Sequence, residues 1–242
     1  MSKIYRFEFK YEIDSRQAYF IEKDIKKFGM KPDLNILTGD GEYTVTSLYW
    51  DSHNFSDYGD KTGGLQKRKK FRLRIYEPYL DKSEFVWLEI KNRFGSQNTK
   101  SRVRLSRSEF NKLVNFNVKM LIEREWNYKD LSKKDEILRN LIKSSIKPKV
   151  VVRYRRKAFV NDQEDVRITF DHGLEASTGL NLNDPVRMVN VNPHKLVMEV
   201  KFCYIMPYWF KDIIKAYGLK ADTYSKYEKS LEALHRYNPL TR

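Results

Sequence analysis

The sequence predicts an α+β protein with a largely antiparallel sheet. Segments rich in β-branched and aromatic residues recur along the chain, with helical segments between them. These segments do not alternate regularly, as the βαβ units of a parallel sheet would require. Most predicted strands also have one charged face and one apolar face, which is typical of antiparallel sheets. No internal repeat and no Pro/Gly/Ser-rich linker divides the chain, so we expect residues 1–242 to form a single domain.

The first half of the chain is predicted to begin with a strand over residues 3–13. Asp14 or Ser15 can cap the helix that follows, and Gly29 ends it. Residues 52–65 are polar and close with two glycines, so we expect a loop with a helical turn. Further strands are predicted at 43–51, 67–77, 84–93 and 100–105.

The second half contains the clearer helix signals. Ser106 and Glu109 have the spacing of a capping box and predict a helix that begins there. A second helix is predicted near 132–145, and Pro148 precedes the next strand. The remaining strands are expected at 149–160, 164–171 and 195–205, and the closing helices at 207–217 and 226–237.

The chain is strongly basic. Its 47 Lys and Arg residues against 32 Asp and Glu residues give a formal net charge of +15. Such an excess favours a polyanionic partner, namely nucleic acid, an anionic membrane surface or a phosphate-rich small molecule. The start has no apolar signal-peptide region, and the most apolar late stretch is interrupted by Glu199, Lys201 and Pro207. We therefore expect no transmembrane segment and a cytoplasmic location, with a membrane partner protein as one option.

The stretch KKFRLRIY places Arg72 and Arg74 on one face of a strand. One such strand is most simply explained by a solvated face. The same alternation recurs in five other segments: RFEFKYE, VWLEIKNR, KSRVRL, EDVRITFD and KLVMEVKF. Like charges opposite each other across strands are unfavourable, so the repeated pattern indicates an anion among the cations. A sheet closed into a barrel would place these faces inside and the apolar faces under the helices.

Nine segments follow one another along the chain: RFEFKY (6–11), SLYWDS (47–52), KFRLRIY (70–76), LEIKNR (88–93), TKSRVRL (99–105), YRRKAF (154–159), VRITFD (166–171), MEVKF (198–202) and SKYEKSL (225–231). Taken in this order, they resemble the polyphosphate polymerase domain of the vacuolar transporter chaperone (VTC) family. That family belongs to the triphosphate tunnel metalloenzyme superfamily, which also includes CYTH-type phosphatases. The resemblance implies an eight-stranded antiparallel β-barrel tunnel that holds a chain of phosphates, with helices packed outside.

The resemblance also implies the residues that act on phosphate. The matching positions for the transferred phosphoryl group are Lys10, Arg72 and Arg74. The matching positions for other phosphates are Lys91, Lys100, Tyr154, Arg156, Arg167, Lys201 and Lys226. Glu199 matches the glutamate that binds Mn²⁺ or Mg²⁺. Glu8 and Glu89 are candidates for a second ligand, and pairing with Lys or Arg is their alternative role.

The function implied is an ATP-dependent polyphosphate polymerase, which transfers the γ-phosphoryl group of ATP to a growing polyphosphate chain. Such transfer depends on positioning and charge neutralisation, so the protein need not supply a nucleophile. A metal-dependent tripolyphosphatase or nucleoside triphosphatase with the same basic residues is the first alternative. The second is a non-catalytic polyanion or RNA binder, since basic strands with interleaved aromatics also suit nucleic acid. That reading explains the charge but not Glu199, so no specific nucleic-acid partner is expected.

Overall fold

The structure of the protein is a computed structural model in which residues 6–33, 41–94, 97–143, 145–183 and 187–235 are described. These ranges contain seven α-helices and eleven strands, with a 3-10 helix at Leu80–Lys82. The helices are α1 (Ser15–Lys27), α2 (Ser56–Thr62), α3 (Arg107–Val114), α4 (Lys119–Glu123), α5 (Tyr128–Lys143), α6 (Tyr208–Ala216) and α7 (Lys226–Ala233). The strands are β1 (Arg6–Ile13), β2 (Lys31–Pro32), β3 (Glu42–Asp51), β4 (Lys67–Ile75), β5 (Val86–Phe94), β6 (Gln97–Leu105), β7 (Lys147–Asn161), β8 (Val166–Ser177), β9 (Val189–Asn190), β10 (Leu196–Cys203) and β11 (Ala221–Asp222).

The predicted fold class, α+β with an antiparallel sheet, is confirmed, because every strand pair with a described register runs antiparallel. Eight strands have eight or more residues and three have two. The described chain forms two compact units. The expectation of a single domain over residues 1–242 stays a prediction.

The first unit comprises the described residues up to Thr44 together with Tyr154–Glu175 and Asn190–Lys226. Its strands follow the order β11, β1, β10, β8, β7, and β2 pairs with β7. The apolar faces of β1, β8 and β10 pack under helices α1 and α6. Fully buried members of this core include Ile13, Ile21, Ile25 and Phe210. The charged side chains of the same strands therefore lie on the opposite face.

The second unit comprises Val45–Arg153, Ala176–Val189 and the described residues from Tyr227 onward. Its strands follow the order β7, β3, β4, β5, β6. Phe71, Leu73 and Ile75 of β4 are buried in a core that helices α3, α4 and α5 cover. The apolar face of KKFRLRIY therefore lies under helices, as its alternation predicts.

The described strands do not close into a ring. The strand order of the first unit begins at β11, and that of the second ends at β6. The eight-stranded barrel implied by the resemblance is therefore not confirmed by hydrogen bonding among the described strands. Within the same ranges, no helix is both long enough and apolar enough to cross a membrane.

Helix α1 ends where the sequence predicts, through a Schellman motif. Gly29 adopts a left-handed backbone with φ of 76°, which a residue with a Cβ adopts only at a cost. Its N–H donates to the carbonyl of Lys26 at 3.2 Å, and the N–H of Met30 donates to that of Ile25 at 3.3 Å. The side chains of Met30 and Ile25 are both buried in the core of this unit, so the turn also fixes a hydrophobic contact.

We expect Gly29→Ala to lower the free energy of unfolding by about 1–2 kcal/mol, because alanine is strained in a left-handed conformation. A Cβ at Gly29 would meet only the Asn161 amide at 3.6 Å, so backbone strain rather than a clash sets the cost. Urea unfolding monitored by circular dichroism measures this change in the free energy of unfolding. The matched control is Gly59→Ala in helix α2, where open space surrounds the new methyl group. That change should stabilise the protein by roughly 0.5–1 kcal/mol. Equal effects of the two changes would contradict the role of Gly29 as a left-handed residue that ends helix α1.

A buried pair of carboxylates lies where strand β3 leads into helix α2. Asp51 accepts hydrogen bonds from the Tyr227 hydroxyl at 2.7 Å and from the N–H of Asp57 at 3.0 Å. The Asp57 carboxylate is itself buried, and neither of its oxygens has a hydrogen-bond partner in the described part of the chain. Burial and the neighbouring charge of Asp51 raise the pKa of Asp57 to about 7. Asp57 is therefore largely protonated at mildly acidic pH.

We expect Asp57→Asn to change the pH dependence of stability. An acid whose pKa rises on folding holds its proton more tightly in the folded state, so its stabilising effect is complete below the ordinary pKa. That effect is lost as the pH rises toward about 7. Relative to the wild type, the variant should gain on the order of 3 kcal/mol between pH 4 and pH 8. Urea unfolding across that interval measures the difference, and parallel profiles for the two proteins would contradict the raised pKa.

Candidate functional site

The charged face of the second unit is organised around Glu89. This carboxylate, on β5, is only 1% exposed. Nε of Arg72 donates a hydrogen bond to Oε2 of Glu89 at 2.8 Å, and Nη2 of Arg72 lies 2.7 Å from the same oxygen. Lys100 of β6 forms an ion pair with the other carboxylate oxygen, and Nη1 of Arg74 lies 3.9 Å from Oε2. Three cations predicted to bind phosphate are therefore gathered around one buried carboxylate.

The cations around Glu89 favour its ionised form. Burial acts to raise the pKa of Glu89, but the charges of Arg72, Arg74 and Lys100 outweigh burial and hold that pKa far below its ordinary value. One carboxylate cannot balance three cations. The cluster thus retains positive charge that an anionic ligand can neutralise.

Two residues of β3 complete this cluster. Arg74 donates from Nε to the Ser47 hydroxyl at 2.9 Å, and Arg72 donates from Nη1 to the Tyr49 hydroxyl at 3.1 Å. Both hydroxyls belong to the segment SLYWDS, which the resemblance includes without assigning them a role. Burial acts to raise the pKa of Tyr49, but the charges of Arg72 and Arg74 lower that pKa to about 7. The alternation of charged residues gives no signal for an uncharged tyrosine, so the sequence did not predict that Tyr49 contacts Arg72.

Cations also face each other directly on the next rungs of this sheet. Lys91 of β5 lies opposite Lys70 of β4 on one side and opposite Lys100 of β6 on the other. Lys70 forms an ion pair with Glu228 at 2.9 Å. Like charges opposite each other across strands are unfavourable. The three neighbouring lysines therefore extend the positively charged face of this sheet.

In the first unit, Arg156 of β7 and Lys226 of α7 share the carboxylate of Asp171. Arg156 donates to Asp171 through Nε at 2.5 Å and Nη2 at 2.7 Å, and Nζ of Lys226 lies 2.6 Å from Oδ2. Lys226 also stands 4.8 Å from the centre of the Tyr154 ring. Burial opposes ionisation of Asp171, but the charges of Arg156 and Lys226 hold the pKa of Asp171 below its ordinary value.

A second carboxylate of the first unit, Glu199, lies between two lysines. Its Oε1 is 2.6 Å from Nζ of Lys201, and its Oε2 is 4.0 Å from Nζ of Lys10. Lys10 also donates to the carbonyl of Tyr224 at 3.0 Å. Glu8 lies 3.4 Å from Lys10 and 3.9 Å from Lys201. Burial acts to raise the pKa of Glu199, but the charges of Lys201 and Lys10 hold that pKa well below its ordinary value.

Arg167 of β8 has a separate partner. It forms an ion pair with Asp33, which is buried, and it lies opposite Lys201 in the register of β8 and β10. Asp33 follows β2 in a segment for which the sequence predicted no element. Its pairing with Arg167 joins residues 134 positions apart, a relation that local patterns do not reveal.

The first unit can supply ligands to a divalent cation only in part. Among the described residues, no group of three His, Cys, Asp or Glu side chains is arranged to hold a metal ion. Glu8 and Glu199 occupy diagonal positions on the paired strands β1 and β10, where Glu8 lies opposite Lys201 and Lys10 lies opposite Glu199. Mg²⁺ commonly binds through one or two carboxylates together with substrate phosphates. The donor set therefore fits a metal that is bound jointly with phosphate.

The predicted site residues thus fall into two groups. The second unit holds Arg72, Arg74, Lys91 and Lys100, and the first holds Glu8, Lys10, Tyr154, Arg156, Arg167, Glu199, Lys201 and Lys226. The three residues predicted to hold the transferred phosphoryl group are divided between the units, because Lys10 belongs to the first. The roles assigned to all of these residues stay predictions.

On these strand faces, arginine and lysine side chains surround buried carboxylates and outnumber them. Comparison with protein families identifies which class of protein this is. The model of the VTC domain matches residues 5–235, and the chain therefore belongs to the VTC domain family. The resemblance stated from the nine segments is confirmed. No curated protein matches the sequence closely enough to count as a relative.

Solved structures with the same fold include two described as candidate nucleotide cyclases. One, a candidate adenylate cyclase from Bacillus halodurans, is 12% identical with a TM-score of 0.51, over 93% of this chain and 96% of that one. The other, a candidate adenylyl cyclase from Hippeastrum, is 12% identical with a TM-score of 0.54, over 99% of each chain. The second is described as having a dominant triphosphatase activity. At this identity the likeness establishes the shared fold.

We expect Glu89→Gln to lower the free energy of unfolding by about 3 kcal/mol, because it leaves buried guanidinium groups without their counter-charge. Tripolyphosphate should restore much of that stability by replacing the lost negative charge. Thermal unfolding with and without tripolyphosphate, at fixed ionic strength, measures both effects. Glu123→Gln on α4 is the control, because its ion pair with Lys119 is exposed and should contribute less than about 1 kcal/mol. Equal losses for the two variants would contradict the central position of Glu89.

Proposed function

We propose that this protein is a polyphosphate polymerase that transfers the γ-phosphoryl group of ATP to a growing chain of inorganic polyphosphate. The observation that carries the proposal is the gathering of Arg72, Arg74 and Lys100 around a single buried carboxylate in a chain of the VTC domain family. Phosphoryl transfer is catalysed mainly by positioning and by neutralisation of charge on the phosphate oxygens. The excess cations of this cluster are suited to both tasks.

Arg72 and Arg74 would hold the phosphoryl group that is transferred, because planar guanidinium groups donate in pairs to phosphate oxygens. Their positions are fixed before any ligand arrives, since Glu89, Ser47 and Tyr49 already bind them. Lys91 and Lys100 would hold adjacent phosphates. Such preorganisation avoids the cost of ordering long side chains during the reaction.

The first unit would contribute Lys10, Tyr154, Arg156, Arg167, Lys201 and Lys226 as further phosphate contacts. Glu199, with Glu8, would hold Mn²⁺ or Mg²⁺ jointly with phosphate, and a bound divalent cation supplies neutralisation of charge on phosphoryl oxygens. Lys10 and Lys201 hold Glu199 ionised, and a bound cation would have to displace their ammonium groups from its oxygens.

Hydrolysis is the second candidate, in which water replaces the terminal phosphate of a polyphosphate chain as acceptor. The observation in its favour is the triphosphatase activity described for the Hippeastrum protein of the same fold. Both reactions need the same cations around the phosphoryl group. The acceptor alone distinguishes them.

The deciding experiment incubates the protein with ATP and Mn²⁺ and resolves the products on a gel. Long chains together with ADP support the polymerase, whereas free phosphate without chains supports the hydrolase. Unchanged ATP would contradict both reactions and favour a binding protein.

We expect Glu199→Gln to reduce the metal-dependent turnover of ATP at least about 100-fold, since a metal ion contributes several kcal/mol of charge stabilisation. Turnover of ATP over a range of Mn²⁺ concentrations measures this, and thermal unfolding checks that the variant is folded. Glu12→Gln is the control, because Glu12 lies on β1 with its side chain exposed and bonds Asn192. Undiminished turnover in Glu199→Gln would refute the metal assignment.

A further inference from the structure

A pair of arginines in the second unit lies outside the residues considered so far. Arg68, near the start of β4, and Arg93, near the end of β5, are directly opposite each other in the register of the two strands. Two guanidinium groups on one rung repel each other. The next rung of the same sheet carries Lys70 opposite Lys91, so positive charge continues from this pair toward Arg72.

Arg68 is incompletely satisfied within the protein. Its Nε is buried and has no hydrogen-bond partner among the described residues. Burial and the charge of Arg93 lower the pKa of Arg68, so the surroundings of Arg68 compensate its charge only weakly. Glu228 acts in the opposite direction, but its carboxylate also forms an ion pair with Lys70.

The two arginines line a cavity of about 480 Å³. Lys67 and Lys69 add two more cations to the lining, and Asp60 is the single carboxylate among the residues that form it. A space of this volume is within the range of ordinary ligand sites. Its excess of positive charge favours an anion, and Nε of Arg68 is a buried donor without an acceptor among the described residues.

We propose that Arg68 and Arg93 form a binding site for the phosphates of a chain that extends beyond the group held at Arg72. Arg68 lies four residues from Arg72 on β4, which is about 13 Å along the strand. An extended inorganic polyphosphate presents oxyanions at both positions, whereas a single phosphate does not. The inference deepens the proposed function and rests on it: the site would favour long chains over tripolyphosphate.

The test compares the affinities of Arg68→Gln and Arg93→Gln with that of the wild type. Isothermal titration calorimetry at fixed ionic strength measures binding of tripolyphosphate and of long-chain polyphosphate. We expect each variant to bind the long chain about tenfold more weakly, a loss of about 1.4 kcal/mol, and to bind tripolyphosphate as the wild type does. Arg139→Gln is the control, because Arg139 is exposed and, within the described part of the chain, bonds only the carbonyl of Asp135 in its own helix. It removes the same charge and should leave both affinities unchanged.

Three results would overturn the proposal. The first is wild-type affinity of both variants for the long chain, and the second is an equal loss for both ligands, which indicates a general effect of charge. The third is a larger loss for a single-stranded oligonucleotide than for polyphosphate, which would assign the site to nucleic acid. Because binding is measured without turnover, failure of the polymerase assay leaves this readout intact. Thermal unfolding confirms that each variant is folded.

Discussion

The compensation of same-face cations by a few buried carboxylates is the constraint on which both units depend. Glu89 in the second unit, and Asp171 and Glu199 in the first, are each surrounded by Lys or Arg side chains. Without these carboxylates, strands that carry same-face cations would repel one another. With full compensation, however, the faces would not attract an anion. The observed balance, in which cations exceed carboxylates, allows the sheets to form and leaves charge available for a ligand.

The same alternation that separates charge from apolar surface also builds the cores. In both units, the apolar side of the charged strands is buried under helices. A one-residue shift of β4 would exchange Arg72 for Leu73 on the charged face, and would bury the arginine in the core. The hydrophobic core therefore fixes which residues lie on the charged face. The placement of these cations and the stability of the fold thus depend on one register.

Much of this architecture was accessible from the sequence because its signals are local. The two-residue period of KKFRLRIY and the capping residues around α1 and α3 indicate the elements and their orientation. The sequence did not reveal helix α4 or the two-residue strands, which are too short to establish a period. It also did not reveal that Asp171 binds two cations or that Asp33 meets Arg167. Those contacts depend on how distant strands are ordered in the sheet. That order produces no periodic pattern of residues in the sequence.

The hydroxyl group of Tyr49 has a consequence for the energetics of ligand capture. Despite burial, Arg72 and Arg74 lower the pKa of this phenol to about 7, so its phenolate form can supply part of the missing negative charge. Under the proposed function, a phosphate held by Arg72 and Arg74 would bring its own negative charge and disfavour the phenolate. The phenol would then regain its hydrogen, and capture of the anion would be accompanied by proton uptake from solvent. The tyrosine would act as a provisional counter-ion and would make the proposed attraction of this face for phosphate depend on the acidity of its surroundings.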